Sequence, residues 1–495
     1  MGAIDYDGKA KALFSTLGGL LFGLVGCGSS GEASSDAGAS TDGTALLDVL
    51  EAGSSDTSPQ CVPTACVPSN PCDLGTTGCG SAACTDTGSP APDGTTCPTG
   101  SCTRGICGAN VTASQGATNL TTTPLTPGRT CGEGVSYSVV GLTSTTATLA
   151  AAPASGCIAP GDEVVLINLQ GTTTSTTNIG VFDDLHVLSV SGANITFTTP
   201  KTNHYGDGAT DDTDIGTAGS QQKVALIRVP VFGTLLVPSG ATLTANAWNG
   251  LLGGVVALRA NTVTVNGTIS SAGLGYADGM WSEDGACSTS LQTTAGESIT
   301  GPGGATLANN AGGSGGLGAG AASFYADTPL SSSAGHANAG LDGGNGQDRA
   351  IGQPGVAYGI GDGSRLTLGS GCGGNVTCNT NEPLQLIAVS PTAGGIIAIF
   401  GGSITVSGTG SIDSSAASSA IPVARTASAG GYVMLRGDTL DLGSALVLAK
   451  GAATGPQGPG NIINTGSDGW IALYYKTSIQ GTTAPPARVQ QTNSP

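Results

Sequence analysis

From Leu235 onward the chain repeats one alternation of apolar and polar positions. Gly253-Gly254-Val255-Val256-Ala257-Leu258-Arg259 runs through Ala260-Asn261 into Thr262-Val263-Thr264-Val265 and on to Asn266-Gly267-Thr268-Ile269. The same shape returns at Gly394–Phe400 followed by Ser403–Gly408, at Gly430–Arg436 followed by Thr439–Leu442, and at Asp468–Tyr474. The last three copies begin 36 and 38 residues apart. Each copy reads as two short strands joined by a polar kink, then a Gly/Ala/Ser return. Repeats of this length mark stacked units, each too small to bury its own apolar face. The pattern predicts a parallel β-solenoid over 235–484, with Val, Ile and Leu inward and Thr, Asp and Asn outward or stacked at corners.

Between the first and second copies lies an insertion of about 273–381, rich in Gly, Ala, Ser and Asn. It reads either as close-packed glycine chains resembling polyglycine helices or as an irregular loop. Upstream, 131–234 is strand and turn: Asp162–Ile167 follows Pro160-Gly161, and Leu185–Val190 passes through Ser191-Gly192-Ala193-Asn194 into Ile195-Thr196-Phe197. Apolar/polar alternation bounded by Gly and Asn turns is a hairpin signal. The expected fold class is therefore all-β: a small antiparallel β-barrel or sandwich, then a parallel β-solenoid with a long glycine-rich insertion. The final residues, 485–495, read as a disordered tail.

The repeat Gly-Gly-Val-Val-Ala-Leu-Arg-Ala-Asn-Thr-Val-Thr-Val-Asn-Gly-Thr-Ile-Ser resembles that of glycine-rich β-helical surface proteins found widely in bacteria, myxobacteria among them. The likeness spans roughly Gly161 to Thr483 and brings no catalytic residues with it.

A different logic governs 61–110, where Cys61, Cys66, Cys72, Cys79, Cys84, Cys97, Cys102 and Cys107 fall among Pro and Gly with almost no large apolar groups. Such spacing in an exported chain indicates a disulfide framework, and eight cysteines allow 105 pairings. The competing reading, zinc or an iron–sulfur cluster, lacks a tight Cys-x-x-Cys pair or a nearby histidine. The segment resembles the cysteine-rich stalks of myxobacterial surface proteins. Further on, Cys131 is expected to bridge Cys157, and Cys372 to bridge Cys378. Cys287 has no near neighbour and is the candidate for an odd cysteine.

At the other end, Lys9 and Lys11 precede an apolar run from Ala12 to Leu24 that closes on Leu24-Val25-Gly26-Cys27. The run falls short of the roughly 20 apolar residues that a membrane span needs and has the layout of an export signal. Leu-Val-Gly-Cys resembles the lipobox of bacterial lipoproteins, which implies a signal over 1–26, acylation of Cys27, and a lipid-held protein at the outer membrane or cell surface. Residues 27–60, Gly/Ser/Asp/Ala-rich and without apolar period, read as a flexible tether.

Composition narrows the function. With 84 glycines and only 10% charged residues, good helix formers are scarce. A net charge of −18 excludes the phosphate-neutralising surface of a nucleic-acid binder. Solenoid enzymes acting on sugars cluster carboxylates across adjacent coils, whereas the outward positions here hold Thr, Asn and Ser, with Asp441 almost alone. The histidines, His186, His204 and His336, read as surface or loop residues. Gly312-Gly313-Ser314-Gly315-Gly316 matches a nucleophile elbow only as a glycine tract does by chance. Asp207, Asp211, Asp212 and Asp214 offer hard oxygen ligands to a calcium ion, and Gly343–Asp348 approximates a single calcium-binding nonapeptide. No other cofactor is indicated. The sequence points to a non-enzymatic, lipid-anchored surface protein that contacts extracellular polysaccharide or surface proteins. The alternatives are a polysaccharide lyase or hydrolase on a β-helix, and a passive envelope component.

Overall fold

The computed structural model describes residues 64–78, 83–279, 281–284, 294–303, 332–341, 353–374, 376–378, 385–387, 392–417, 427–453 and 465–493. The expected signal, tether and lipidated Cys27 lie outside these residues, as do Cys61, Cys79, Cys287, Gly312–Gly316 and Gly343–Asp348. Among the described residues every regular element is a strand, in both antiparallel and parallel sheets.

The repeat copies are neighbours in one large sheet. Val255–Val265 runs parallel and in register with Ile396–Val406, which pairs in the same way with Tyr432–Leu448, and that strand with Trp470–Ala484. Shorter second strands, Ala241–Thr244, Thr268–Ser270 and Ser411–Asp413, stack in parallel beside them. Leu258 and Val263, Ile399 and Ile404, and Leu435 and Leu440 all enter one apolar core. A flat strand turns residues five apart to opposite faces, so each strand must switch parity between them. The switch falls at Ala260-Asn261, Gly401-Gly402 and Gly437-Asp438, the polar kink of the repeat.

This parallel stack begins earlier than the repeat suggests. Ile106–Thr112 pairs with Val231–Val237, and Gly116–Asn119 with Ala241–Thr244. The boundaries expected at 110 and 235 are thus not those of the fold: the first rung precedes the antiparallel domain, which is inserted between two rungs. The early rung fills its core positions with Ala109, Val111, Ala113 and Leu120, residues too small and sparse to show the period. The tail also needs correction. Arg488–Gln491 forms a strand on Ala472–Tyr475. Its four side chains are all exposed, so backbone hydrogen bonds rather than apolar burial place it, and no pattern announces it.

The inserted domain is a closed six-stranded antiparallel barrel made from Ser136–Leu142, Thr146–Leu149, Glu163–Gln170, Phe182–Ser191, Asn194–Phe197 and Lys223–Val229. Val164, Leu166, Leu185, Val187, Ile195 and Phe197 fill its interior. Val165, Ile167, Ala225 and Ile227 point outward against Val255, Ala257, Ile396 and Ala398 of the parallel sheet. Both faces of Glu163–Gln170 are therefore buried, which accounts for its unbroken Val-Val-Leu-Ile run.

The cysteine segment folds as a three-stranded antiparallel sheet, Thr64–Cys66, Asp73–Thr77 and Cys84–Pro90, followed by short strands that join the parallel stack. Disulfides link Cys66 to Cys84, Cys72 to Cys102, and Cys97 to Cys107. Cys72, Cys97 and Cys102 are the segment's own small core. Cys131 and Cys157 are bridged, as expected.

Much of the described part of the glycine-rich insertion lies in neither strand nor helix and is joined by backbone hydrogen bonds. The stretch Gly369–Gly374 bonds to Tyr276 and Gly279, to Gly394, to Thr294 and Glu297, to Ser332, and to Ala429. A sheet strand has two neighbours; this stretch has five chain segments around it, which is close packing in three dimensions. Glycine is what allows it: a Cβ on Gly371 would fall on the Ala277 carbonyl oxygen, and one on Gly296 on the Gly371 carbonyl oxygen.

Candidate functional site

Outward positions of the parallel stack form ladders of hydroxyls and amides. Asn110, Thr234, Thr262, Ser403, Thr439 and Ser478 occupy one register position on six successive strands. Two residues further along the strands lie Thr112, Leu236, Thr264, Thr405, Asp441 and Gln480. Between the rows Val111, Leu235, Val263, Ile404 and Leu440 turn into the core, so simple alternation builds the face. Every residue of the first row is half-buried or exposed. At the usual interstrand spacing the six rungs extend over roughly 24 Å. Thr234 donates to Asn110 at 3.0 Å, Ser411 on the flanking strands donates to Thr268 at 3.3 Å, and in the turns between the strands Ser407 donates to Asn266 at 2.8 Å. These side chains brace one another while keeping donor and acceptor capacity towards solvent.

Before the kink, another outward register position holds Arg259, Phe400, Arg436 and Tyr474 in turn. The Arg259 guanidinium lies 4.6 Å from the Phe400 ring centroid, and Arg436 lies 4.6 Å from that of Tyr474. Arg259 is buried and reaches the barrel, donating from Nε and Nη2 to Glu163 at 2.6–2.8 Å and from Nη2 to Asp184 at 2.8 Å. Burial opposes charge on Glu163, but the hydrogen bonds and charge of Arg259 outweigh it and hold its carboxyl below the usual range. Burial, and then the charge of Glu163, push Asp184 up to about 7. His186 stands opposite Glu163 in the ladder, and its burial lowers its basicity. Two carboxylates of opposed acidity resemble a general acid–base pair, yet Arg259 bridges them where an enzyme would leave room for substrate and water. The arrangement fastens barrel to sheet.

A second carboxylate has a similar role. Glu297 accepts from Gln170 of the barrel at 2.9 Å, from Trp248 Nε1 at 2.8 Å, and from the Ala277 amide at 3.1 Å, tying three parts of the chain together.

The four aspartates considered for calcium lie on one loop, where two share a partner and Asp212 turns to another. Asp207 and Asp211 both accept from the Thr213 hydroxyl, at 3.3 and 3.2 Å. Asp212 pairs with Lys201 at 2.6 Å and accepts from the Tyr205 amide at 3.0 Å. Asp214 adopts φ of 53° and contributes its carbonyl to Gln222. Among the described residues, the group of three potential ligand atoms that converges is Cys72, Cys97 and Cys107, and these sulfurs are spent in disulfides. Cys372 is buried, its amide donating to Asp278 at 3.0 Å, while the side chain of its expected partner Cys378 lies outside the described residues.

Of the histidines expected at the surface or in loops, one lies in a loop yet away from solvent. His336 is fully buried among the glycine segments, its Nδ1 2.6 Å from the Gly430 carbonyl and its Nε2 2.8 Å from the Thr367 hydroxyl. The carbonyl requires a proton on Nδ1, and where the ring is neutral Nε2 accepts from Thr367. Burial lowers its pKa to about 4. The cluster of Arg259, Glu163 and Asp184 has almost no trace in the sequence. A buried Arg in an otherwise apolar strand was its one available signal, since the acids come from distant strands.

No protein-family profile matches the chain, and no curated protein sequence matches it. Among solved structures, the tailspike protein gp49 from Pseudomonas phage LKA1 aligns with 17% identity over 28% of this chain and 24% of that one, at a TM-score of 0.14. The overlap spans about a quarter of the tailspike, and a likeness this slight carries no argument about fold or function.

Proposed function

We propose that this chain is a non-enzymatic surface protein, held by lipid on Cys27, whose parallel stack is a β-solenoid presenting its polar face to extracellular polysaccharide. The observation that carries this reading is the outward row Asn110, Thr234, Thr262, Ser403, Thr439 and Ser478, aligned across six strands. Regularly spaced hydroxyls and amides suit a polymer of regularly spaced hydroxyls, and many weak contacts along one chain sum to useful affinity. The parity switch at each kink and the stacking of first and second strands support the solenoid. The disulfides support an oxidising, exported setting, and the lipobox-like Leu24–Cys27 supports anchoring. A glycan array probed with the full chain tests the binding. The expected result is retention on extended polysaccharides, weakened when Thr262 and Ser403 are both replaced by Val. Release of reducing ends would instead favour a lyase or hydrolase, and silence on both counts would leave a passive envelope role.

A further inference from the structure

The register position that Arg259 shares with Arg436 shows the same side chain in two states. At Arg259 the guanidinium lies over an aromatic ring and takes two carboxylates, Glu163 and Asp184, supplied by the barrel. At Arg436, two rungs on, the guanidinium lies over Tyr474 at the same distance of 4.6 Å. Here no carboxylate of the described residues arrives, and Nε is buried without a hydrogen-bond partner. Two residues along the strand, at the kink, Asp438 carries a buried Oδ1 that is likewise unpartnered. Both residues are half-buried rather than buried. Buried polar groups are nearly always paired, so each of these unmatched atoms calls for an explanation.

We propose that Arg436 and Asp438 form a subsite for a sugar acid, in which Arg436 takes the carboxylate of a uronic acid unit and Asp438 accepts from its ring hydroxyls. The inference rests on the polysaccharide reading above and narrows it. The chemistry follows from the pair. A guanidinium held in place by an aromatic ring is a preorganised carboxylate receptor, whereas Asp438 repels a bare anion and needs a ligand that also donates. A uronic acid carries both groups on one ring. The chain's net charge of −18 disfavours a polyanion at long range, but at physiological salt charges are screened beyond about 8 Å, and the subsite acts at contact.

The test is calorimetric titration of the full chain, at physiological salt, with a short oligogalacturonate, its fully methyl-esterified counterpart, and acetate. The acid form is expected to bind, with the ester about tenfold weaker because a charge-assisted pair is lost, and acetate weaker than either. Arg436→Gln should reduce acid binding to the level of the ester and leave ester binding unchanged, Arg436→Lys should restore part of the difference, and Asp438→Asn should weaken both sugars. Melting curves of each variant report whether the fold is kept. Equal affinity for acid and ester, or acid binding unaffected by Arg436→Gln, overturns the subsite while leaving polysaccharide contact standing. Absence of binding to these sugars and to every glycan on the array overturns both.

Discussion

Arg259 of the parallel sheet and Glu163 of the barrel are joined by three hydrogen bonds of 2.6–2.8 Å, with both side chains buried. Neither half of the pair is tolerable alone at that depth. Replacing Arg259 by Met should cost about 3–5 kcal/mol, because Glu163 is left as an uncompensated buried charge. The double replacement Arg259→Met with Glu163→Gln should recover most of that loss, since removing both charges also removes their desolvation. Urea unfolding of the two variants checks this; a double variant no more stable than the single would mean that packing, not charge, dominates the junction.

Asp184 and His336 give the stability curve opposite slopes. Asp184 keeps its proton to about pH 7 in the folded chain but only to about pH 4 when unfolded. Its contribution is complete at acid pH and is lost as pH rises towards 7. His336 titrates at about 4 when folded and about 6.5 when unfolded, so its contribution grows with pH across that interval and is complete above it. The two oppose each other between about pH 4 and 6.5, and above 6.5 only the Asp184 loss continues. The melting temperature should therefore fall between pH 6.5 and 7.5, and Asp184→Asn should flatten the fall. An identical slope in that variant would remove Asp184 as the cause.

In the cysteine segment, the disulfide from Cys72 to Cys102 closes 30 residues and that from Cys97 to Cys107 closes 10. Chain entropy predicts about 1 kcal/mol more stabilisation from the longer loop. Both crosslinks put sulfur into a core that has almost nothing else in it. Replacing Cys72 and Cys102 by Ala should thus shift the denaturation midpoint further than replacing Cys97 and Cys107, as read by urea titration under non-reducing conditions.

What was legible in the sequence follows from the same physics. The strands from Val255, Ile396 and Tyr432 onward announce themselves because they open on apolar runs buried on both faces and, beyond the kink, bury a side chain at every second residue. Ile106–Thr112 does not, because Ala109 and the disulfides replace those side chains, and a whole barrel separates it from the next rung. Arg488–Gln491 buries nothing and leaves no trace. The outward Thr and Ser rows could be read from alternation alone, whereas the meeting of Arg259 with Glu163 and Asp184 depends on how barrel and sheet dock. Likewise, Asp207, Asp211, Asp212 and Asp214 are close in sequence, but Lys201 and Thr213 decide where their carboxylates turn.

The glycine segments make a sharp demand on sequence that composition alone conceals. Gly371 lies where five chain segments crowd together, and a methyl group there would overlap the Ala277 carbonyl oxygen, a backbone atom that cannot step aside. Gly219 is also a loop glycine, but a Cβ built on it meets nothing within 4 Å. Both changes are one methyl, so propensity treats them alike and only packing distinguishes them. Gly371→Ala should destabilise by about 1–3 kcal/mol or more through overpacking, and because Gly371 donates to the Glu297 carbonyl it should also loosen the junction at Trp248 and Gln170. Gly219→Ala should be neutral within about 0.5 kcal/mol. Paired melting curves decide the matter, with Trp248 fluorescence reporting the junction. Equal tolerance of the two substitutions would show that the glycine segments are loosely held and that their backbone bonds do not position the stack.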